Sequence, residues 1–185
     1  LLITGAAGGV GSLAVQLARR LTDLTVIGTA SRPETAAWVR ELGAHHTLDH
    51  GRPMPPQLQE LGIAGVDYLF STTMTDRHFP AIVEMMAPQG RFGLIDDPET
   101  IDVRQLKRKS VSLHWELMFT RSLFQTPDMA RQHEILDEVA RLVDDGTLRT
   151  TLAEQLGRID AENLTRAHAM VESGRTRGKI VLAGF

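Results

Sequence analysis

Glycines near the amino-terminal end of the chain are spaced in a way that can bind a phosphate chain. Residues 2–4 are a short run typical of a buried strand, and a glycine-rich segment and then a helical pattern follow it. Gly8 and Gly9 would let the backbone approach a pyrophosphate closely, and free N–H groups at the helix start would hydrogen-bond to it. This order of strand, glycine turn and helix is the context that a dinucleotide-binding loop requires. The predicted phosphate-binding residues are Ala6, Ala7, Gly8, Gly9, Val10 and Gly11.

Two other nucleotide-binding loops are excluded by residues elsewhere in the chain. The pattern T-G-x-x-x-G-x-G at residues 4–11 also matches the turn of short-chain dehydrogenases, which need a tyrosine with a lysine four residues later. The only tyrosine is Tyr68, and Thr72 stands four residues after it. A P-loop needs a lysine at the helix start, and the first lysine of the chain is Lys107. The pattern that remains is A-x-G-x-x-G at residues 6–11, a variant of the dinucleotide fingerprint.

The composition is that of an ordinary globular chain. Its 185 residues, 42% of them hydrophobic and 23% charged, suit one domain with a sizeable core. A net charge of −3 gives no reason to expect nucleic acid or an anionic membrane as a partner, and no apolar run approaches the roughly 20 residues of a membrane span. The absence of cysteine excludes disulfides and cysteine-ligated zinc within these residues, and is compatible with the cytoplasmic location that we expect.

Strand-like runs alternate with helical patterns along the chain, which predicts an α/β fold with a doubly wound parallel sheet of the Rossmann type. Ser31 and Glu34 predict a capping box at the start of the second helix. After the first strand, further strands are expected at residues 24–29, 44–48, 66–71, 91–96 and 111–115. The predicted inward helix faces are Val10, Leu13, Ala14, Leu17, Ala18 and Leu21 in the first helix, and Ile135, Leu136, Val139, Leu142 and Val143 in a helix over 128–145.

The pattern changes after Gly146. An extended run at 148–156, a helix at 160–173 and an apolar run at 180–183 follow. Two interpretations are open, because this end either completes the sheet or belongs to a different structural unit. The chain also opens inside its first strand without an initiator methionine, and we therefore expect it to be a fragment of a longer protein.

Several segments together resemble the medium-chain dehydrogenase/reductase superfamily. They are the glycine loop at 5–11, G-T-A-S-R at 28–32, E-L-G-A at 41–44, G-R-F-G at 90–93 and the ending E-S-G…G-K-I-V-L at 172–182. The nearest branch looks like the quinone oxidoreductase and zinc-type alcohol dehydrogenase-like proteins.

In that superfamily the cofactor domain is inserted into a GroES-like catalytic domain. The resemblance implies that residues 1–147 are an NADP(H)-binding Rossmann domain and that residues 148–185 return to a catalytic domain absent from this sequence. The substrate pocket, the proton-transfer groups and any zinc ligands would then lie outside this chain. We therefore assign no catalytic and no metal-binding residue within it.

The residues that end the second strand indicate the cofactor. A carboxylate there accepts hydrogen bonds from the ribose hydroxyls of NAD, whereas a 2′-phosphate needs positive charge or neutral donors. This chain has Ala30, Ser31 and Arg32 and no acid before Glu34, which favours NADP(H). The alternatives are that Ser31 only caps the helix and that Arg32 is a solvated surface charge.

The resemblance also implies residues around the rest of the cofactor. In the family, strand-end residues flank the nicotinamide and its ribose, in agreement with the rule that ligands bind beyond the carboxyl ends of parallel strands. His50 stands where family members often have a tyrosine near the adenosine phosphate, and Lys179 is placed to reach a phosphate from the C-terminal tail. The threonines at strand ends alternatively satisfy loop backbone groups, and Lys179 is alternatively a free lysine. The strand-end residues are Ser71, Thr72, Thr73, Leu94, Ile95, Asp96, Met118 and Phe119.

Two classes of function fit these residues. The first is part of an NADPH-dependent oxidoreductase that transfers hydride to a carbonyl, quinone or conjugated alkene of a small-molecule substrate. The alternative is a non-catalytic NADP(H)-binding or scaffolding module. In both cases we expect the chain to show no turnover when isolated. A metal site at His45, His46 and His50 is not adopted, because no acidic partner has a convincing spacing.

The predicted sixth strand indicates an interface. Val111, Leu113 and Trp115 alternate along the last strand of the sheet, which would leave an edge open for pairing. Dimers of the resembling superfamily join their cofactor domains edge to edge. We therefore expect a homodimer through residues 110–118.

Overall fold

In a computed structural model that describes residues 1–185, the first part of the chain forms a six-stranded sheet. The strand order is β3-β2-β1-β4-β5-β6 and every neighbouring pair is parallel. The strand order reverses between β1 and β4, which is the doubly wound Rossmann arrangement, and the predicted fold class is confirmed. The strands are β1 (Leu2–Ile3), β2 (Ile27–Thr29), β3 (His46–Leu48), β4 (Val66–Ser71), β5 (Met86–Leu94) and β6 (Ser112–Trp115).

Helices cover both faces of this sheet, and the side-chain alternation of the strands divides the core into two clusters. Leu2 belongs to the cluster with Phe79 and Ile82, and the next residue, Ile3, belongs to the cluster with Val15 and Val39. The helices of this part are α1 (Gly9–Leu21), α2 (Pro33–Glu41), α3 (Met54–Glu60) and α4 (Thr75–Met85), with a 3₁₀ segment at Val103–Lys109.

Three strands start two or more residues away from the predicted position, because strand pairing rather than composition sets where a strand begins. β2 begins at Ile27 instead of residue 24, since its partner β1 offers only Leu2 and Ile3. β3 begins at His46 instead of residue 44, opposite Ile27. β5 begins at Met86 instead of residue 91, because Met86 already pairs with Val66 before an irregularity in the register.

The buried face of α1 is rotated from the predicted one. Val10 and Leu21 are about half exposed, whereas Gly11, Val15 and Ala18 face the sheet. The reason is the contact at Gly11, where a Cβ would overlap the backbone of the preceding loop. That close approach fixes the helix rotation and turns Val10 away from the core.

The start of α2 differs from the predicted capping box by one residue. Arg32, not Ser31, occupies the cap position, and its N–H donates to Thr35 Oγ1 at 3.3 Å. Pro33 takes the first helical position, where its fixed φ suits the helix. Ser31 is exposed and is therefore free for another role.

The C-terminal part forms a separate two-stranded sheet. β7 and β8 pair with each other in parallel and do not join the six-stranded sheet, so the interpretation that this end completes the large sheet is wrong. No helix in the chain combines the length and the apolar character needed to cross a membrane. The remaining elements are α5 (Thr120–Leu123), α6 (Arg131–Asp144), β7 (Leu152–Gln155), α7 (Ala161–Glu172) and β8 (Lys179–Val181).

The predicted inward face of α6 is mostly exposed. Leu142 is buried, but Leu136 is 62% exposed, and Ile135 and Val143 are about 40% exposed. Hydrophobic periodicity identifies an apolar helix face and not the element that covers it. Within this chain, no element covers it.

Candidate cofactor-binding site

The carboxyl ends of β1, β2 and β4 border a groove of about 450 Å³. It lies at the point where the strand order reverses, which is where α/β sheets bind ligands. The glycine loop, the loop after β2, the loop before α4 and the loop before β8 line it. Predicted site residues that line it are Ala7, Gly8, Gly9, Val10, Gly11, Ser31, Arg32, His50, Thr72, Thr73 and Lys179.

The glycine loop forms the floor of the groove and offers hydrogen-bond donors to it. Gly5 has φ +61°, and a Cβ there would lie 2.5 Å from Thr72 Oγ1, so only glycine fits. The N–H groups of Gly9, Val10 and Gly11 have no acceptor in the protein, because they belong to the first turn of α1. Three free donors at a helix start form an anion-binding site.

Lys179 adds a positive charge directly over this loop. A Cβ on Gly9 would lie 2.6 Å from Lys179 Nζ, so the lysine side chain rests on the glycine. The adjacent Gly178 N–H donates to the Ala7 carbonyl at 2.8 Å and holds β8 against the loop. The ammonium group and the free N–H groups therefore face the same part of the groove.

The loop after β2 forms the far end of the groove. The Arg32 guanidinium donates from Nε to Glu34 Oε1 and from Nη2 to the Arg175 carbonyl, both at 2.6 Å. Hydrogen bonds from its own backbone N–H and from Arg32 hold the pKa of Glu34 below its usual value. This end of the groove thus carries a guanidinium and an ionised carboxylate side by side.

Two histidines lie together beside this loop. The His50 and His78 ring centroids are 6.0 Å apart, and His50 lines the groove. Burial lowers the pKa of both imidazoles from its ordinary value and so favours their neutral forms. His78 was not predicted, because its position on α4 gives no local sequence signal for this contact.

A chain of buried hydrogen bonds runs behind the groove. Thr72 N–H donates to Thr4 Oγ1 at 3.1 Å, Thr4 and Ser71 hydroxyls are 3.0 Å apart, and Ser71 and Thr75 hydroxyls are 2.7 Å apart. The Thr75 hydroxyl and N–H both donate to the Asp96 carboxylate. A backbone N–H can only donate and a carboxylate can only accept, so every hydroxyl between them points toward Asp96. This series of hydrogen bonds fixes the relative positions of β1, β4 and β5 at the groove.

Other predicted site residues do not line the groove. Ala6 and Leu94 are fully buried in the core, while Met118 and Phe119 are more than half exposed in the loop after β6. Ser71 and Asp96 act within the hydrogen-bond chain instead, and the Ile95 N–H donates to the Ser71 carbonyl. The sequence reasoning did not identify Thr4 and Thr75, whose only signal is their position at the end of β1 and the start of α4.

Trp38 joins the C-terminal part to the Rossmann sheet. The guanidinium carbons of Arg149 and Arg177 each lie 5.2 Å from its ring, and its Nε1 donates to Ser12 Oγ at 2.9 Å. The Gln16 side-chain amide on α1 donates to the Arg149 carbonyl at 3.1 Å and accepts from the Arg149 N–H at 2.9 Å. These contacts hold the C-terminal loop at the rim of the groove.

Comparison with known proteins identifies the family. Residues 42–182 match the family model described as zinc-binding dehydrogenase. The chain belongs to the zinc-binding dehydrogenase family. A zinc-type alcohol dehydrogenase-like protein of Staphylococcus aureus is 38% identical over 182 residues, which are 98% of this chain and 54% of that protein. A quinone oxidoreductase of Pseudomonas aeruginosa is 28% identical, over 98% of this chain and 55% of its own length.

Solved structures agree with this assignment. A Rhizobium etli protein described as a proposed zinc-dependent alcohol dehydrogenase is 58% identical with a TM-score of 0.95, and the match covers 100% of this chain and 54% of that one. A mycobacterial protein solved in complex with NADPH is 25% identical with a TM-score of 0.80, covering 98% and 55%. The resemblance to medium-chain dehydrogenases is confirmed, and the chain spans about half the length of the relatives it matches.

The residues of this zinc-binding dehydrogenase chain do not fit a zinc ion. A zinc site needs three or four histidine, cysteine or carboxylate ligands, and the chain has no cysteine and no group of three such side chains placed together. His45 Nδ1 accepts from the Val26 N–H at 2.9 Å and is thus committed to the backbone.

Proposed function

We propose that this chain is the cofactor-binding part of an NADPH-dependent oxidoreductase that transfers hydride to a carbonyl, quinone or conjugated alkene. In this proposal residues 1–147 form the NADP(H)-binding domain, and residues 148–185 belong structurally with the substrate-binding part of the whole protein. The observation that carries the proposal is the glycine loop with its three free N–H groups under the Lys179 ammonium. Membership of the dehydrogenase family and a relative solved with NADPH support it.

The anionic middle of the cofactor is bound by the floor of the groove. The N–H groups of Gly9, Val10 and Gly11 donate to the pyrophosphate, and Lys179 neutralises part of its charge. These contacts do not distinguish NADPH from NADH, since both carry the same pyrophosphate. They set the affinity that the two cofactors share.

The 2′-phosphate is bound at the end of β2. Ser31 and Arg32 immediately precede the first turn of α2, and residues 29–32 include no carboxylate that would accept hydrogen bonds from a ribose diol. A charge-assisted hydrogen bond from the guanidinium contributes roughly 1.5–3 kcal/mol. NADPH should therefore bind at least about tenfold more tightly than NADH.

The nicotinamide end lies against the loop after β4. Thr72 donates its hydroxyl proton to the Thr4 carbonyl at 2.8 Å, which leaves its oxygen lone pairs to accept from the cofactor. The reduced nicotinamide supplies the hydride when it is bound. This chain positions the cofactor, and the group that binds the hydride acceptor is supplied by the rest of the whole protein.

Calorimetric titration of the chain with NADPH and NADH tests this function. We expect Arg32→Ala to weaken NADPH at least about tenfold with little effect on NADH, because only NADPH carries the 2′-phosphate. Lys179→Ala should weaken both cofactors alike. We also expect no turnover of quinones, enals or alcohols by the chain alone. Equal affinity for the two cofactors, or an Arg32→Ala effect on both, would contradict the NADPH assignment.

A further inference from the structure

A second cleft adjoins the cofactor groove. Its volume is about 270 Å³, and it shares Arg32, Thr35 and Thr176 with the groove. The first turn of α2 forms one wall and the loop before β8 forms the other. Two further arginines, Arg175 and Arg177, line it. The cleft is therefore a polar extension of the groove, with three guanidinium groups and the carboxylates of Glu34 and Glu154 around it.

The three arginines differ in what they already contact. Arg177 lies over the Trp38 ring, which directs its charge toward the aromatic face. Arg32 is paired with Glu34 and bonded to the Arg175 carbonyl. The Arg175 guanidinium has no hydrogen-bond or ion-pair partner in the protein, although its charge, together with that of Arg32, helps to lower the pKa of Glu34. Glu34 therefore lies within electrostatic reach of two guanidinium groups.

We propose that this cleft holds the 2′-phosphate of the dinucleotide between Arg32 and Arg175, and that Glu34 competes with the phosphate for Arg32. The inference rests on the proposed function and adds two residues to it. A phosphate dianion is matched by two guanidinium groups, and one of them is already neutralised by the Glu34 carboxylate. Arg175 supplies the second charge, and Glu34 reduces the preference for NADPH.

The sign of the Glu34 effect separates this inference from the usual role of an acid at this place. A carboxylate that accepted hydrogen bonds from the ribose diol would favour NADH, and its removal would weaken NADH. A carboxylate that competes with phosphate has the opposite effect, and its removal tightens NADPH. Exposed ion pairs contribute little free energy, so the expected tightening is only about twofold to fivefold.

The test is a calorimetric measurement of NADPH and NADH binding to three variants of the chain. We expect Glu34→Gln to tighten NADPH about twofold to fivefold and to leave NADH unchanged. Arg175→Ala should weaken NADPH by about threefold to tenfold with NADH unchanged. The matched control is Glu134→Gln, which breaks the exposed ion pair between Arg131 and Glu134 on α6 and should change neither affinity.

The outcomes distinguish the inference from the proposed function. If Arg32→Ala selectively weakens NADPH but Glu34→Gln and Arg175→Ala have no effect, NADPH binding stands and the cleft proposal is overturned. A weaker NADH complex of Glu34→Gln overturns the competition and makes Glu34 a ribose ligand. If Arg32→Ala weakens both cofactors alike, the proposed function itself fails.

Discussion

Replacing Thr75 with valine removes one hydroxyl from the buried hydrogen-bond chain behind the groove. Thr75 is fully buried, and valine has nearly the same shape, so no cavity is formed. Asp96 loses the hydroxyl that donates to it, and the Ser71 hydroxyl, 2.7 Å away, loses its acceptor. The Thr75 N–H continues to donate to Asp96 at 2.9 Å.

The expected loss follows from these contacts. A hydrogen bond to a charged group contributes about 1.5–3 kcal/mol, and a buried donor left without a partner costs about 1–3 kcal/mol. Because the N–H bond to Asp96 remains and relaxation recovers part of the loss, we expect the free energy of unfolding to fall by about 2–4 kcal/mol. For a chain of this size that is a decrease in Tm of about 4–16 °C.

Urea unfolding followed by circular dichroism measures this loss. Thr165→Val on α7 is the matched control, because its hydroxyl donates to the Ala161 carbonyl on an exposed helix face. The control should change the free energy of unfolding by less than about 0.5 kcal/mol. A loss below about 1 kcal/mol for Thr75→Val, or an equal loss in the control, would refute the argument that the hydroxyl chain organises these strands.

Two further predictions concern pH and assembly. Burial lowers the pKa of His50 and His78 below 6.5, so the unfolded chain binds protons before the folded chain as the pH falls. The free energy of unfolding should therefore decrease below about pH 6.5. In urea unfolding at a series of pH values, replacing both histidines with Gln should flatten this decrease, whereas His133→Gln on exposed α6 should not. We propose a homodimer through residues 110–118 at the open β6 edge, so light scattering should give the mass of a dimer. Trp115→Asp should halve this mass, and the similarly exposed Val171→Asp should leave it unchanged. A monomeric unsubstituted chain would contradict the proposal.

The parts of the fold that depend on local sequence were predictable. β4 has the predicted bounds, Val66–Ser71, because an apolar run lies between clear turn signals. The glycine loop was predictable for the same reason, since the requirement for close backbone approach at Gly8 and Gly11 is local. The order of the strands in the sheet was not predicted, because it depends on pairing between strands that are distant in the sequence.

The parts that depend on distant contacts were not predictable from the sequence. Thr4 and Ser71 are 67 residues apart in the chain, and nothing near either residue indicates that their hydroxyls meet. The rotation of α1 is set by the close approach of Gly11 to Gly5 and Ala6, a local contact that hydrophobic periodicity does not represent. Leu136 on α6 shows the same limit, because a helical pattern identifies the apolar face of a helix but not the element that packs against it.

The groove is lined by residues that lie far apart in the sequence, among them Gly9 and Lys179. A dinucleotide held there would touch both segments and so act as a cross-link between them. A ligand that binds only when β7 and β8 are packed against the glycine loop stabilises that arrangement. By linkage, it lowers the population in which this strand pair is detached by the factor by which its binding favours the packed arrangement. The cofactor would thus serve this chain as a structural tie as well as a reactant.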